Sequence, residues 1–318
     1  MLRSQLKTRL TQWCFFSSCV LLVPVLIWAG DPIKAPATSR STTAFGGPYE
    51  VKTIKDVAYF DGPTAHATKH KLDLFLPIKD AFPVVLFIHG GAWQHGDKNF
   101  MFGFYSKIAH MFARNGVGFV VANYRLSPEV RHPGHIEDVA KAFTWVHKHI
   151  AQYGGRPDLM FVAGHSAGGH LVSLLATDEQ YLSAQGLKSN VIKGVIPISG
   201  VYAIPPEKRF LPKVFGEDAQ LRKLASPVHH VRSQLPPFLI LYGERDLPML
   251  DEQAQSLHQT LEKNKNDTQL IELKDRDHFT IIGRMLSQED EAVQAMLQFL
   301  SKHAASSLRP MEGKSNNQ

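Results

Sequence analysis

One serine of the chain lies in a turn whose residue types suit covalent catalysis. Ser166 is the middle residue of a Gly-x-Ser-x-Gly turn at 164–168, which follows the apolar run 159–163 and precedes the apolar stretch 170–176. Between a strand and a helix, such a turn strains the serine backbone and points the hydroxyl out from the sheet edge. The two outer positions require glycine because a Cβ there would collide with the neighbouring strand or helix. The context predicts a nucleophile.

A second turn, His-Gly-Gly-Ala-Trp at 89–93, directly follows the apolar run 84–88. Acyl transfer builds negative charge on a carbonyl oxygen, and the donors that stabilise it must be aimed before the reaction begins. A glycine turn lets bare backbone N–H groups approach that closely. We predict that the N–H groups of Gly91, Ala92 and Ala167 form this oxyanion hole.

A serine nucleophile needs a base, and the base needs a carboxylate that orients it. His278 follows the last predicted strand, and Asp246 comes just after the run 238–242, at a strand's carboxyl end, where sites of open α/β sheets assemble. Asp246 is favoured over Glu244 because the loop must leave the strand before it turns toward the serine. Asp277, beside His278, is the less favoured alternative and is expected to orient its own loop.

The elements that must position these residues alternate between strand-like and helix-like patterns. Leu72, Leu74 and Leu76 alternate as in a half-exposed strand. Continuous apolar runs predict central strands covered on both faces, at 84–88, 119–121, 159–163, 195–198 and 238–242. Apolar positions on one helical face predict helices within 108–112, 136–150, 250–261 and 293–300. The order predicts one α/β domain, from about 49 to 303, with a mostly parallel sheet flanked by helices.

One segment breaks this alternation. Residues 200–235 are rich in proline and show no clear periodicity of apolar residues. We expect them to form either a small cap over the site or a long surface excursion.

Charge and cysteine content exclude several other functions. Three of the 35 cations lie in the first nine residues, and the remaining 32 exceed the 29 acids by only three. This balance, without a Lys/Arg run, argues against a nucleic-acid partner. The only cysteines are Cys14 and Cys19, so the rest of the chain has no disulfide, Cys-ligated zinc or thiol nucleophile. The histidine pairs at 132/135 and 229/230 are not expected to bind metal, and we expect no cofactor.

The beginning of the chain resembles a targeting segment. Residues 1–12 are basic and polar, and 13–29 form an uncharged apolar run. This pattern is typical of a secretory signal peptide, with cleavage after Ala29 and export of the protein. The run is somewhat short for a spanning helix, and an uncleaved membrane anchor is the alternative. We expect a linker at 30–48 and a polar tail at 304–318.

Together these motifs resemble a known family. The turns at 89–93 and 164–170, the Asp-His-Phe at 277–279, the Asn-Tyr-Arg-Leu-Ser-Pro at 123–128 and the Ile-Glu-Asp-Val at 136–139 look like those of α/β-hydrolase esterases, in the hormone-sensitive-lipase and feruloyl-esterase-like group. The order of serine, acid and histidine is that of the α/β-hydrolase fold. Kynurenine formamidases are similar too. Ala92 replaces a third glycine common in relatives, and no long N-terminal cap region precedes the first strand.

The motifs and the resemblance imply a serine hydrolase with a minimal cap that cleaves small-molecule carboxylic esters. The signal-like segment predicts that it is secreted, and the lack of a large cap predicts that it prefers short acyl groups. An amidase or formamidase would use the same residues on a C–N bond. A catalytically dead α/β-hydrolase that serves as a binding module is the third possibility.

Overall fold

The computed structural model describes residues 45–207 and 211–306. Within these ranges eight strands form one sheet: β1 (Val51–Ala58), β2 (Lys71–Pro77), β3 (Phe82–Ile88), β4 (Gly118–Ala122), β5 (Gly155–His165), β6 (Ile192–Ile198), β7 (Phe238–Arg245) and β8 (Thr268–Asp277). Their spatial order is β1-β2-β4-β3-β5-β6-β7-β8. β2 pairs antiparallel with β1 and β4, and all other neighbours are parallel. The predicted mostly parallel sheet is confirmed.

Helices follow the strands, as the alternation predicted. The described α-helices are α1 (Phe100–Arg114), α2 (Gly134–His149), α3 (Ala167–Thr177), α4 (Gln180–Ser183), α5 (Pro212–Phe215), α6 (Ala219–Leu224), α7 (Leu250–Lys263), α8 (Thr280–Gly283) and α9 (Glu291–Ser306). Helices α2, α3 and α7 pack on one face of the sheet, and α1, α8 and α9 pack on the other. This double covering is the α/β-hydrolase architecture predicted from the sequence.

The central strands are buried on both faces because successive side chains point to opposite sides. In β3, Val84, Leu86 and Ile88 join the cluster that contains α2 and α3, while Val85 and Phe87 join the one that contains α1 and α9. Each continuous apolar run therefore supplies two cores at once. This arrangement fixes the carboxyl ends of the parallel strands in one row, where the predicted site residues lie.

The prediction that β2 is half-exposed was wrong. Its alternating leucines are buried in one core, but Phe75 packs into the other core and Asp73 is also buried. The buried Asp73 carboxylate binds the ammonium of Lys98 at 2.8 Å. β2 is covered because β1, a partly exposed strand that the sequence did not reveal, takes the edge of the sheet.

Residues 199–237 connect β6 to β7. We call the described part of this segment, 199–207 and 211–237, the cap, because its Phe215 packs against Trp93 in the turn at 89–93. This cap contains α5, α6 and a 3₁₀ turn at Pro227–His230. Its Arg222 is almost fully buried and donates to the carbonyls of Pro205 and Gly216. The cap also binds the body, because the Val214 carbonyl accepts a hydrogen bond from the His132 N–H at 2.8 Å.

The predicted signal peptide, with both cysteines, lies outside the described residues, so the signal peptide stays a prediction. Helix α9 continues to Ser306, and the rest of the predicted polar tail lies outside the described residues. In the part of the chain that the structure describes, no helix is long and apolar enough to cross a membrane.

Candidate active site

Ser166 occupies a sharp turn between β5 and α3. Its φ of 55° and ψ of −117° lie outside the ordinary regions for a residue with a side chain. A Cβ at Gly168 would lie 2.0 Å from the Ile88 carbonyl oxygen, and one at Gly164 would lie 2.5 Å from the Gly168 backbone. Both outer glycines are therefore required by close backbone approach, as the sequence predicted.

A chain of hydrogen bonds joins the three residues selected from the sequence. The His278 Nε2 lies 2.9 Å from the Ser166 Oγ, and the His278 Nδ1 lies 2.8 Å from the Asp246 Oδ1. The imidazole is 6% exposed and the carboxylate 1%, whereas Ser166 is partly exposed. The geometry fits a base that is oriented on one nitrogen and faces the hydroxyl with the other.

The alternative acids face elsewhere. Glu244 is exposed and contacts Lys274 and the Asp275 N–H. Asp277 accepts hydrogen bonds from the N–H groups of Phe279 and Thr280, so it orders the loop that carries the histidine, as expected. Only Asp246 of the three acids meets the imidazole in the described structure.

The Asp246 carboxylate has several other donors. Its Oδ2 accepts from the Ser199 Oγ at 2.5 Å and from the Gly243 N–H at 3.1 Å, and its Oδ1 accepts from the Leu247 N–H at 2.8 Å. Burial raises the pKa of this carboxyl. The hydrogen bonds from His278, Ser199 and Gly243 together lower the pKa by more than burial raises it, so the net pKa lies below the usual value. The sequence analysis missed Ser199.

The predicted oxyanion turn lies against the nucleophile. A Cβ at Gly90 would lie 3.1 Å from the Ser166 Cβ, and Gly91 has a φ of +119°. Within the described residues, the N–H groups of Gly91 and Ala92 donate to no protein acceptor. Ala167 is the first residue of α3, where N–H groups have no partner inside the helix. These three donors are therefore free to bind an anion.

His165, the residue before the nucleophile, touches the loop that carries His278. Its Nε2 lies 2.8 Å from the His278 backbone carbonyl, and the two imidazole centroids are 4.7 Å apart. Burial lowers the pKa of His165 to about 3. The ring is therefore neutral at neutral pH and donates its Nε2–H to that carbonyl.

Two histidines of the pairs at 132/135 and 229/230 have protein partners. His135 contacts the Ser127 Oγ, and His230 contacts the Leu224 carbonyl. Among the described residues, no group of three His, Cys, Asp or Glu side chains could hold a metal ion.

Fold and site together define an α/β-hydrolase with a serine, histidine and aspartate at the carboxyl edge of its sheet. The chain belongs to the BD-FAE family, whose model matches residues 72–261. This confirms the resemblance to α/β-hydrolase esterases that the sequence motifs indicated.

Curated relatives include esterase LipC of Mycobacterium tuberculosis, 31% identical over 72% of this chain and 60% of LipC. Esterase LipQ of the same organism is 34% identical over 53% of this chain and 42% of LipQ. The chain thus spans about half the length of these relatives. Kynurenine formamidase of Salmo salar is 25% identical over 86% of this chain and 91% of the formamidase.

Solved structures share the fold. A truncated carbohydrate esterase from gut microbiota superposes with a TM-score of 0.68 at 21% identity, covering 81% of this chain and 98% of that one. Esterase B from Lactobacillus rhamnosis superposes with a TM-score of 0.67 at 23% identity, covering 82% and 89%.

Proposed function

We propose that this protein is a serine hydrolase that cleaves carboxylic esters through an acyl-enzyme. The observation that carries the proposal is the hydrogen-bonded chain from the Ser166 hydroxyl through His278 to the buried Asp246 carboxylate. Relatives named as esterases and the family match support the ester as substrate.

Each group has one task in this mechanism. The Ser166 Oγ attacks the ester carbonyl carbon while the His278 Nε2 takes its proton, and Asp246 stabilises the imidazolium. The new oxyanion accepts hydrogen bonds from the N–H groups of Gly91, Ala92 and Ala167. The tetrahedral intermediate expels the alcohol, which leaves with the proton from His278. A water molecule then cleaves the acyl-enzyme by the same sequence, releasing the carboxylic acid and free Ser166.

Substitution of the nucleophile tests this assignment. Ser166→Ala should fold normally and lose at least ~10³-fold in kcat on p-nitrophenyl butyrate, because the oxyanion donors survive but the covalent route does not. A fluorophosphonate should label the wild type at one site and leave the variant unlabelled. Labelling of the wild type at another serine would refute the assignment. A non-catalytic binding protein would show no hydrolysis that depends on Ser166.

Formamide hydrolysis is the second candidate. The chain covers 91% of the Salmo salar formamidase but only 60% of LipC, although identity to the formamidase is lower. The same serine, histidine and oxyanion donors could cleave a C–N bond, with His278 protonating the departing amine. The test compares kcat/KM for N-formylkynurenine with that for aryl acetates. A higher value for N-formylkynurenine would make the protein an amidase.

We further propose that the protein is exported after removal of residues 1–29. The basic start and the following apolar run support this proposal. Mass spectrometry of the exported protein should find an N-terminus near Gly30. An intact Met1 in a membrane fraction would instead indicate an anchor.

A further inference from the structure

The last two residues of the oxyanion turn have strained backbones. Ala92 has a φ of 52° and Trp93 a φ of 59°, the left-handed region that non-glycine residues rarely adopt. Such conformations persist only where the surrounding structure holds them. Ala92 carries a proposed oxyanion donor and is bonded directly to Trp93. Contacts that hold the Trp93 side chain therefore also restrain the backbone that carries the Ala92 N–H.

The Trp93 side chain is held by His170. The indole is almost fully buried, and its Nε1–H donates to the His170 Nδ1 at 3.1 Å. The opposite ring nitrogen of His170, Nε2, lies 2.7 Å from the Ala225 carbonyl and therefore donates to it. Because both nitrogens are engaged, the imidazole is fixed in one tautomer, with the proton on Nε2. Burial lowers the pKa of His170 to about 3, so its Nδ1 remains an acceptor at neutral pH.

His170 is itself tied to the nucleophile. It lies in the first turn of α3, and its backbone N–H donates to the Ser166 carbonyl at 3.0 Å. The ring of Phe215, from the cap, packs edge-on to both Trp93 and His170, with centroids 4.9 and 5.8 Å apart. A continuous set of contacts thus connects the cap, the nucleophile helix and the oxyanion turn.

We propose that Trp93 and His170 are positioning residues, whose side-chain hydrogen bond fixes the oxyanion donors relative to Ser166. The proposal rests on the ester hydrolysis proposed above. Neither side chain touches substrate. The bond holds the strained Ala92 and Trp93 backbone before substrate arrives, so that the donors already point at the developing charge. Its effect must therefore fall on the transition state more than on substrate binding.

Trp93→Phe tests this role because it removes the indole N–H and keeps an aromatic ring. The matched control is Trp145→Phe on α2, where the indole stacks on His149 with centroids 4.6 Å apart. On p-nitrophenyl butyrate, Trp93→Phe should lower kcat at least about tenfold and change KM by less than about twofold. Trp145→Phe should change neither by more than about twofold.

A transition-state mimic separates positioning from general damage. Ser166 adds to the carbonyl of an alkyl trifluoromethyl ketone. The oxyanion of the resulting hemiketal resembles the oxyanion of the tetrahedral intermediate that forms from an ester. Trp93→Phe should weaken this inhibitor by about the same factor as it lowers kcat/KM. If kcat and the inhibition constant both stay within about twofold of wild type, the proposal is wrong. A loss that appears only in KM would also overturn it.

Two substitutions at His170 test the same bond from the other side. Asn can place an acceptor near the Nδ1 position, whereas Gln can place a donor near the Nε2 position. His170→Asn should therefore retain more kcat than His170→Gln, and the reverse order would contradict the proposal. If none of these variants folds, the indole N–H resonance of wild-type Trp93 decides: because the bond forms before substrate arrives, this N–H must be protected from hydrogen exchange in the free protein and must stay protected when the trifluoromethyl ketone binds. A Trp93 N–H that exchanges freely with water before the ketone binds would refute the role.

The proposed function has its own readout in these experiments. A wild type that hydrolyses no ester, or one whose ester hydrolysis persists in Ser166→Ala, would refute the serine ester hydrolase. An active wild type with a fully active Trp93→Phe would refute only the positioning role.

Discussion

The Ser199 hydroxyl donates to the Asp246 Oδ2 at 2.5 Å, on the carboxylate oxygen that does not face His278. Asp246 therefore meets the imidazole with one oxygen while its second oxygen is held by a hydroxyl and a backbone N–H. Hydrogen bonds to a buried carboxylate are charge-assisted and stronger than neutral ones. Ser199 thus stabilises the ionised acid and fixes its orientation.

Ser199→Ala should destabilise the fold more than it slows the reaction. Loss of a hydrogen bond to a buried charge costs about 1.5–3 kcal/mol in the free energy of unfolding. The remaining donors still hold the carboxylate, so kcat should fall less than about tenfold. Urea titration and steady-state kinetics give the two values.

Ser287→Ala is the matched control for Ser199→Ala, because Ser287 also donates to a carboxylate, that of Glu289, but on the surface. It should change the free energy of unfolding by less than about 0.5 kcal/mol. Equal losses in the two variants would show that burial of the Ser199 contact has no special effect.

Asp246→Asn and Glu244→Gln distinguish the two candidate acids after β7. The asparagine retains the size of the side chain but loses the charge that sets the tautomer of the neutral imidazole and stabilises the imidazolium, so kcat should fall by roughly 10³- to 10⁴-fold. Among the described residues, the Glu244 carboxylate accepts hydrogen bonds from Lys274 and a loop N–H and none from His278, so its variant should stay within about twofold. Comparable losses in kcat would mean that the wrong acid was chosen.

Acid should destabilise the protein at pH values where most carboxylates are still ionised. Burial lowers the pKa to about 4 for His89 and His135 and to about 3 for His165 and His170. In the unfolded chain a histidine titrates near 6.5, so from about pH 6.5 to 4 the unfolded state binds more protons than the folded state. Stability therefore falls as the pH falls through this window.

Each buried histidine contributes up to about 1.4 kcal/mol per pH unit to this loss. Urea titrations at pH 7, 6, 5 and 4.5 measure the slope, and His135→Asn should make it shallower. The lowered pKa of Asp246 has the same sign but acts at lower pH, since its stabilisation is lost as the pH falls through the folded value. A free energy of unfolding that is constant from pH 7 to 4.5 would contradict the neutral state of these rings.

The catalytic candidates could be predicted because strand ends of a parallel sheet share one edge. Ser166, Asp246 and His278 each follow a strand at its carboxyl end, and the structure brings them together. Ser199 follows β6 in the same way, so its position was a signal that could have revealed it. It was missed because a single serine after a strand belongs to no motif.

Other features depend on contacts that local patterns do not encode. β1 has mostly exposed, polar positions, so its sequence shows no strand pattern. The burial of β2 depends on the presence of β1 at the sheet edge. The bond between Trp93 and His170 joins residues 77 positions apart. Such pairings depend on the order of the strands in the sheet, which determines which turns lie next to each other.

Acyl-chain length provides the last prediction. Ser166 is partly exposed, and Phe279 beside His278 is 62% exposed, which supports an open acyl site. In the cap, Val214 and Phe215 are buried, with Phe215 against Trp93 and His170, and Phe210 lies outside the described residues. A buried methylene contributes about 0.8 kcal/mol, whereas an exposed acyl tail gains little of this.

We therefore expect kcat/KM for p-nitrophenyl acetate or butyrate to exceed that for the decanoate by at least about tenfold, or about 1.4 kcal/mol in transition-state free energy. The esters must be measured below the concentration at which the decanoate aggregates, with Ser166→Ala as the blank for spontaneous hydrolysis. If the decanoate is hydrolysed as efficiently as the acetate, the site is enclosed rather than open. Residues 211–215 of the cap, which hold Phe215 against Trp93 of the oxyanion turn, would then be the segment that covers the acyl chain.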